Sequence, residues 1–394
     1  MFYQDREKLV VEHDGEVTSQ ACDRILLEYP FLAGRAEVCM GCTQDGDIYA
    51  AVAASCGTGG ESIKSTQRLF RSSDDGHTWI GWFIELPDES SLTAFTVLAD
   101  DSFLVAAAVP SRQQTCFYRS TDRGREWQVI SEIPAEPFEQ MGEGFLSLTQ
   151  LRNGTVLFPV CRWNKAPEGT PNWVPQHVFR STDGATTWQG GGELEATDVV
   201  PLGSGPASRW PGMGGTFPGC YETHIAELAN DKLLAAFRYS GYPQPWHKDK
   251  IKEWGGNSEA DGIGRLFKHV FLGDSSDGGR TWENLRPLFD AEGSALLVTG
   301  ECHGQLAELP NGHLVLVHDR RYPYDKGETI GRVSEDGGRT WSRKVYHLSD
   351  GCGYPASVAL KDGTIITVVG DTRLDAQSRP LEPWSVQVVR WRLE

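Results

Sequence analysis

Three side chains of different chemistry stand at one recurring position in this chain. When the segments around Leu228, Leu309 and Leu360 are aligned on those leucines, Glu222, His303 and Tyr354 each fall six residues earlier. Ten residues after Leu228 stands Arg238, and 11 after Leu309 stands Arg320, with Arg321 next to it. A carboxylate, an imidazole and a phenol are acid–base groups, and each needs only hydrogen-bond reach to move a proton. Guanidinium groups grip planar anions through a rigid fork that lysine lacks. The set suits proton chemistry on an anionic ligand. The plainer alternative is polar residues that line a water-filled channel.

The elements that must bring these residues together are short and repeated. Six segments each read as strand, polar turn, strand. They run from Cys39 to Val52 (turn Asp45-Gly46), Thr93 to Val109 (Asp100-Asp101), Phe145 to Val160 (Asn153-Gly154), Glu222 to Phe237 (Asn230-Asp231), His303 to Val317 (Asn311-Gly312) and Tyr354 to Val369 (Asp362-Gly363). Their flanks are rich in β-formers, and the dipeptides between them are hairpin turns. A second motif, S-x-D-x-G-x-T-W, follows five of the six. It is complete at Ser72 to Trp79, Ser275 to Trp282 and Ser334 to Trp341. Ser120 to Trp127 lacks the Thr, and Ser181 to Trp188 carries Ala185 where the others have Gly. In each copy the Asp can accept hydrogen bonds from its own turn, Gly supplies a left-handed position, and the Trp can fold back as an apolar plug. Six inner hairpins with five outer ones describe an all-β, six-bladed β-propeller of four-stranded antiparallel blades, one domain over residues 1–394. Glu222, His303 and Tyr354 would then start the innermost strands of blades four, five and six and converge on the central axis. The sixth blade lacks the second motif. Strands at Lys8 to Val11 and Arg24 to Tyr29 are expected to join it with the C-terminal segment, closing the ring without an exposed sheet edge.

The repeated turn is the Asp-box, or BNR repeat, and over most of its length the chain resembles the sialidase (neuraminidase) superfamily. That resemblance implies a retaining exo-glycoside hydrolase. Three arginines clamp the carboxylate of the sugar, a Tyr activated by a Glu is the nucleophile, and an Asp is the acid/base. A neutral Tyr suits an anomeric carbon that bears a carboxylate, because a carboxylate nucleophile would be repelled; its hydroxyl, of pKa about 10, then needs a neighbouring base. Glu222 and Arg238, in E-x5-L-x9-R, resemble the family's spacing of the Glu and second Arg, and Tyr354 in Gly353-Tyr354-Pro355 stands where the nucleophile begins the last blade. Arg35 falls where the first-blade Arg is expected, in Gly34-Arg35-Ala36-Glu37 rather than Arg-Ile-Pro. The third Arg is Arg320, Arg321 or Arg332, with Arg321 favoured. The loop from Ser55 to Thr66, where the family has its Asp, offers only Glu61. His303 has no counterpart among the family's catalytic residues. These departures leave open a relative that acts on another acidic sugar.

Other features bound the reading. Two long connections, Thr187 to Gly219 and Tyr239 to Arg265, carry Trp210, Trp246 and Trp254, and are expected to wall the site with Trp246 and Trp254 against sugar faces. The net charge of −17 argues against a nucleic-acid or anionic-membrane surface, so an anionic ligand has to be held by a local arginine cluster. No apolar run approaches the ~18–20 residues of a membrane helix. The nine cysteines have no framework spacing, and Cys39-Met40-Gly41-Cys42 is a single CxxC, which points to buried thiols and to no metal or cofactor. The first residues lack a signal-peptide pattern, which favours a cytoplasmic protein or a mature secreted form. Three rival functions remain. One is a polysaccharide lyase with His303 and Tyr354 as base and acid and Arg238 facing a uronate. The others are a non-catalytic carbohydrate-binding propeller and a neutral-sugar hydrolase such as an exo-arabinanase.

Overall fold

The computed structural model describes residues 8–27, 34–56, 66–86, 90–109, 112, 114–138, 140–142, 147–163, 174–190, 192–194, 219–241, 267–296, 301–320, 327–351, 353–371 and 385–394. They form the six-bladed β-propeller that the repeats imply. Blade one runs outward through Gly34–Cys42, Ile48–Cys56, Thr66–Ser72 and Ile80–Phe83. Blade two has Ser91–Val97, Phe103–Val109, Gln114–Ser120 and Gln128–Pro134. In blade three, Gln140–Gly142 and Thr149–Gln150 both pair with Val156–Trp163, followed by Gln176–Ser181 and Glu193–Leu194. Blade four has Gly219–Glu227, Leu233–Gly241, Phe267–Ser275 and Glu283–Pro287, and blade five Glu301–Glu308, Leu314–Arg320, Glu328–Ser334 and Val345–Ser349. Blade six has Ala356–Ala359, Ile365–Asp371 and Ser385–Trp391, and Asp23–Leu27 is its outermost strand. Among the described residues no helix is long and apolar enough to cross a membrane.

The termini share the last blade through Asp23–Leu27, which pairs antiparallel with Ser385–Trp391. The first strand goes elsewhere. Lys8–His13 pairs with Val345–Ser349 of blade five and carries Glu16–Ala21 as a further, mostly exposed edge. The closed ring therefore keeps an open sheet edge, contrary to expectation. The cause is apolar alternation: Leu9 and Val11 point into the core between blades five and six, beside Tyr346 and Trp391.

The core is divided into six clusters, one at each contact between neighbouring blades. Each contains a tryptophan from the later of the two blades in the ring. Five are Asp-box residues, Trp79, Trp127, Trp188, Trp282 and Trp341. Blade six has no Asp box, and Trp391 of its third strand takes the sixth place, with its Nε1 donating to Thr367 Oγ1 at 2.9 Å. The plugs thus fill the seams between blades while still closing on their own turns, as where Trp79 Nε1 donates to Gly76 O at 3.0 Å, and they differ in depth. Trp341 is fully enclosed, whereas Trp282 is half-buried. Trp341→Ala is expected to cost about 3–5 kcal/mol, as for other buried aromatic truncations, measured by denaturant unfolding. Trp282→Ala should cost clearly less.

The Asp-box turns repeat one hydrogen-bond pattern. Ser72 Oγ accepts from Gly76 N at 2.9 Å, and Asp74 accepts from Thr78 N at 2.9 Å and from the Thr78 hydroxyl at 2.6 Å. The same bonds recur in the boxes of Asp183, Asp277 and Asp336. Ala185 adopts the left-handed φ of 69° that Gly holds in the other four. Hydrogen bonds from the Thr78 and Thr187 hydroxyls and amides hold Asp74 and Asp183 at pKa values of about 2. A carboxylate whose folded pKa is depressed contributes stability above its unfolded value, near 3.9, and loses it as pH falls through the folded one. Thermal stability is therefore expected to fall between about pH 4 and pH 2. Asp→Asn changes at residues 74 and 183, read in the same acid scan, should flatten that fall.

In each of blades one to five the inner-hairpin turn and the Asp box lie at the same end of the strands. Ser275 pairs with Leu233 at that end, while Arg238 pairs with Val270 towards the other. Asp boxes and candidate site therefore occupy opposite faces of the ring.

Candidate active site

Glu222 and His303 lie near the start of the innermost strands of blades four and five, and both interrupt the strand. The ladder slips between Tyr221 and His224 in one and between Cys302 and Gln305 in the other. Glu222 has φ 52° and His303 φ 59°, left-handed values that cost a side-chain-bearing residue about 1–3 kcal/mol and collect at functional sites. The paired bulges turn both side chains off the regular alternation. Tyr354 stands two residues before Ala356–Ala359 in blade six, and its carbonyl accepts from Val38 N of blade one at 3.2 Å.

The three meet. Tyr354 Oη donates to Glu222 Oε1 at 3.1 Å, and Arg238 Nη1 donates to the same oxygen at 2.5 Å. His303 Nε2 lies 2.9 Å from Glu222 Oε2, and its Nδ1 lies 2.8 Å from Asp319 Oδ2. The imidazole stacks on the Tyr354 ring, with centroids 3.3 Å apart and planes at 27°. The Arg238 guanidinium lies over the Tyr221 ring, 4.6 Å from its centroid. Glu222, Arg238 and Tyr354 are buried, and His303 and Asp319 are fully enclosed. Burial pushes the Arg238 pKa down, but Glu222, Cys302, Tyr354 and Tyr221 around it together outweigh this and leave it raised, so Arg238 is a fixed cation. The cluster therefore holds a phenol within proton-transfer reach of a carboxylate whose second oxygen lies in ion-pair contact with an imidazole.

The other residues singled out from the sequence are distributed differently. Arg320 ends the second strand of blade five and is ion-paired to its ladder partner Glu328, whose other oxygen lies 2.7 Å from His347 Nδ1. Arg35 lies in the first strand of blade one, paired with Ser55 through the backbone; its side chain is outside the described residues, as are Glu61, Arg321, Trp246 and Trp254. Sequence reading missed Asp319, although its signal was present. Asp319 stands ten residues after Leu309, the place Arg238 occupies after Leu228, whereas Arg320 is one residue out of that register.

Both His303 nitrogens face carboxylates and its side chain is closed to solvent, so it offers no nitrogen to a substrate. Among the described residues one trio, Glu222, Cys302 and His303, brings three potential metal-ligand atoms within 4.8 Å of one another. The Arg238 guanidinium on Glu222 opposes a second cation there. The described cysteines are free thiols, and all but Cys42 are buried.

Residues 100–368 match the BNR repeat-like domain family. No curated protein matches the chain. Several solved structures share its fold. A protein of unknown function from Dyadobacter fermentans DSM 18053 superposes with a TM-score of 0.62 at 15% identity, over 98% of this chain and 99% of that one. Trypanosoma rangeli sialidase in complex with sialic acid gives a TM-score of 0.56 at 13% identity; the match covers 99% of this chain but only 58% of the sialidase. An α-L-arabinofuranosidase from Fusarium graminearum in complex with arabinobiose gives 0.59 at 12% identity, over 91% and 98%.

Proposed function

From the premise that this chain belongs to the BNR repeat-like domain family, we propose that it is a retaining exo-glycoside hydrolase that removes a terminal acidic sugar. The observation that carries this reading is the bond from Tyr354 Oη to Glu222 Oε1 at 3.1 Å, which joins a nucleophile to its base across two blades. In the first step the phenolic oxygen forms a bond to the anomeric carbon, the bond to the leaving group breaks, and Glu222 takes the phenol proton. Water then hydrolyses the tyrosyl–sugar intermediate with retention, the route by which sialidases depart from two-carboxylate glycosidases. Arg238, fixed as a cation at this pair, faces the sugar carboxylate together with Arg35 and Arg321. Glu61 is the candidate acid for the leaving group. The neighbouring sialidase, solved with sialic acid, is consistent with such a substrate.

One observation favours a rival. Arg238 gives its Nη1 to Glu222 at 2.5 Å, so part of the fork is already taken. A neutral sugar, such as that of the arabinofuranosidase neighbour, would not need the clamp, and Glu222 would then attack while Tyr354 donates to it. The closed imidazole speaks against the lyase reading, because His303 would have to reach the substrate as base. Turnover of aryl glycosides of sialic acid, its deaminated form, uronic acids and L-arabinofuranose decides between these. Turnover of the acidic sugars supports the proposal. Turnover of the arabinofuranoside alone, or an ultraviolet-absorbing unsaturated product from a uronate polymer, overturns it.

A further inference from the structure

Asp319 sits at the bottom of the cluster and faces no open space. Its Oδ2 lies against His303 Nδ1 at 2.8 Å. Its Oδ1 accepts from the Thr329 hydroxyl at 3.0 Å and from Gly353 N at 3.2 Å. Gly353 directly precedes Tyr354, so one carboxylate of blade five fixes both the imidazole that pins Glu222 and the backbone that carries the tyrosine. The ring nitrogens of His303 point at two different carboxylates. A neutral imidazole has one N–H and would press a lone pair against one of them, whereas an imidazolium puts a positive N–H edge beside both. The charges agree. Among the described groups of the cluster, Arg238 offsets one of the two carboxylates, and a protonated His303 offsets the other, as a low-dielectric site favours.

We propose that Asp319 is a positioning residue that acts through His303: it holds the imidazole as a doubly protonated cation, which fixes Glu222 Oε2 and presents Oε1 to the Tyr354 hydroxyl. The proposal rests on the reading of Tyr354 and Glu222 as nucleophile and base. Among the described residues, the groups around the imidazole are Glu222 from blade four with Arg238 on it, Cys302 beside it in its own strand, Asp319 from the next strand, and Tyr354 from blade six. The Asp319 charge favours the imidazolium. Without it, His303 gives up its proton at lower pH, so the alkaline limb of the pH–rate profile moves to lower pH.

Two measurements test this. The first needs no variant: the ¹⁵N shifts of the His303 ring in the free protein near neutral pH should be those of a doubly protonated imidazole. A neutral ring overturns the proposal whatever the substrate. The second uses Asp319→Asn, which keeps the shape. Its kcat is expected to fall by about 10²-fold with KM little changed, and its alkaline limb to shift down. Because the residue acts through the ring, Asp319→Asn combined with His303→Gln should be no slower than His303→Gln alone. A wild-type pH profile in folded Asp319→Asn, or additive losses in the double variant, refutes it. Failure of the underlying assignment is read separately, as full turnover by Tyr354→Phe.

Discussion

Tyr354→Phe is expected to lower turnover of the productive aryl glycoside by at least ~10³-fold, the scale of removing a covalent nucleophile, while the fold survives. The change deletes one oxygen. The ring keeps its stack on His303 at 3.3 Å, and the backbone carbonyl keeps its bond from Val38 N of blade one. Glu222 loses one donor at Oε1 but retains Arg238 there, and Oε2 keeps its 2.9 Å contact with His303 Nε2. The stability change should stay near the ~1 kcal/mol of a single hydrogen bond. The measurement is kcat beside a melting curve, with a fluorinated sugar of the productive class as covalent trap. The wild type should carry the label on the peptide containing Tyr354, and the variant should carry none. Near-normal turnover, or a label on Glu222, would remove Tyr354 from the nucleophile role and favour the neutral-sugar reading.

Glu222→Gln should damage both activity and stability, and the second effect separates it from Tyr354→Phe. Glutamine fills the same volume but carries no charge. Arg238 at 2.5 Å and His303 at 2.9 Å would lose their shared counter-ion in an enclosed site. Removing one partner of a buried ion pair costs about 3–5 kcal/mol, because the remaining charge stays desolvated. Turnover should also fall by about 10²–10⁴-fold, since no base is left for the phenol. Chemical denaturation reads the first effect and initial rates the second. A Glu222→Gln protein as stable as the wild type would show that the cluster does not depend on an ionised Glu222, and would undercut its assignment as base.

The sequence carried the ring plainly because its signals are local. Asp45-Gly46, Asn153-Gly154 and the Asp-box turns announce themselves within a few residues, and each copy strengthens the rest. The convergence of Glu222, His303 and Tyr354 was legible for the same reason, since equivalent repeat positions are equivalent places around an axis. What could not be read was geometry that breaks the repeat. Nothing in the letters around Glu222 signals a left-handed residue and a slipped ladder, and at His303 the moderate left-handed tendency of histidine is too weak a signal to place one. Asp319 was passed over for the arginine beside it, as the search was for cations and its true partner was an imidazole. The first strand was misplaced because Lys8–His13 has the same alternation whichever blade receives it. Only the three-dimensional neighbourhood of Leu9 and Val11 selects blade five.

The pairing of Leu27 with Val386 also has a temporal consequence. The strand that completes blade six is made before blades one to five, and its partner after them. A growing chain can fold blades one to five in turn, since each rests mainly on the one before it, but the circle waits for a strand made after all of them. Glu222, His303 and Tyr354 come from three successive blades, the last of which is the closing one. A nascent or C-terminally trimmed chain can therefore hold most of its sheets and still have no assembled centre, and catalytic competence becomes an all-or-none report that the two ends have found each other.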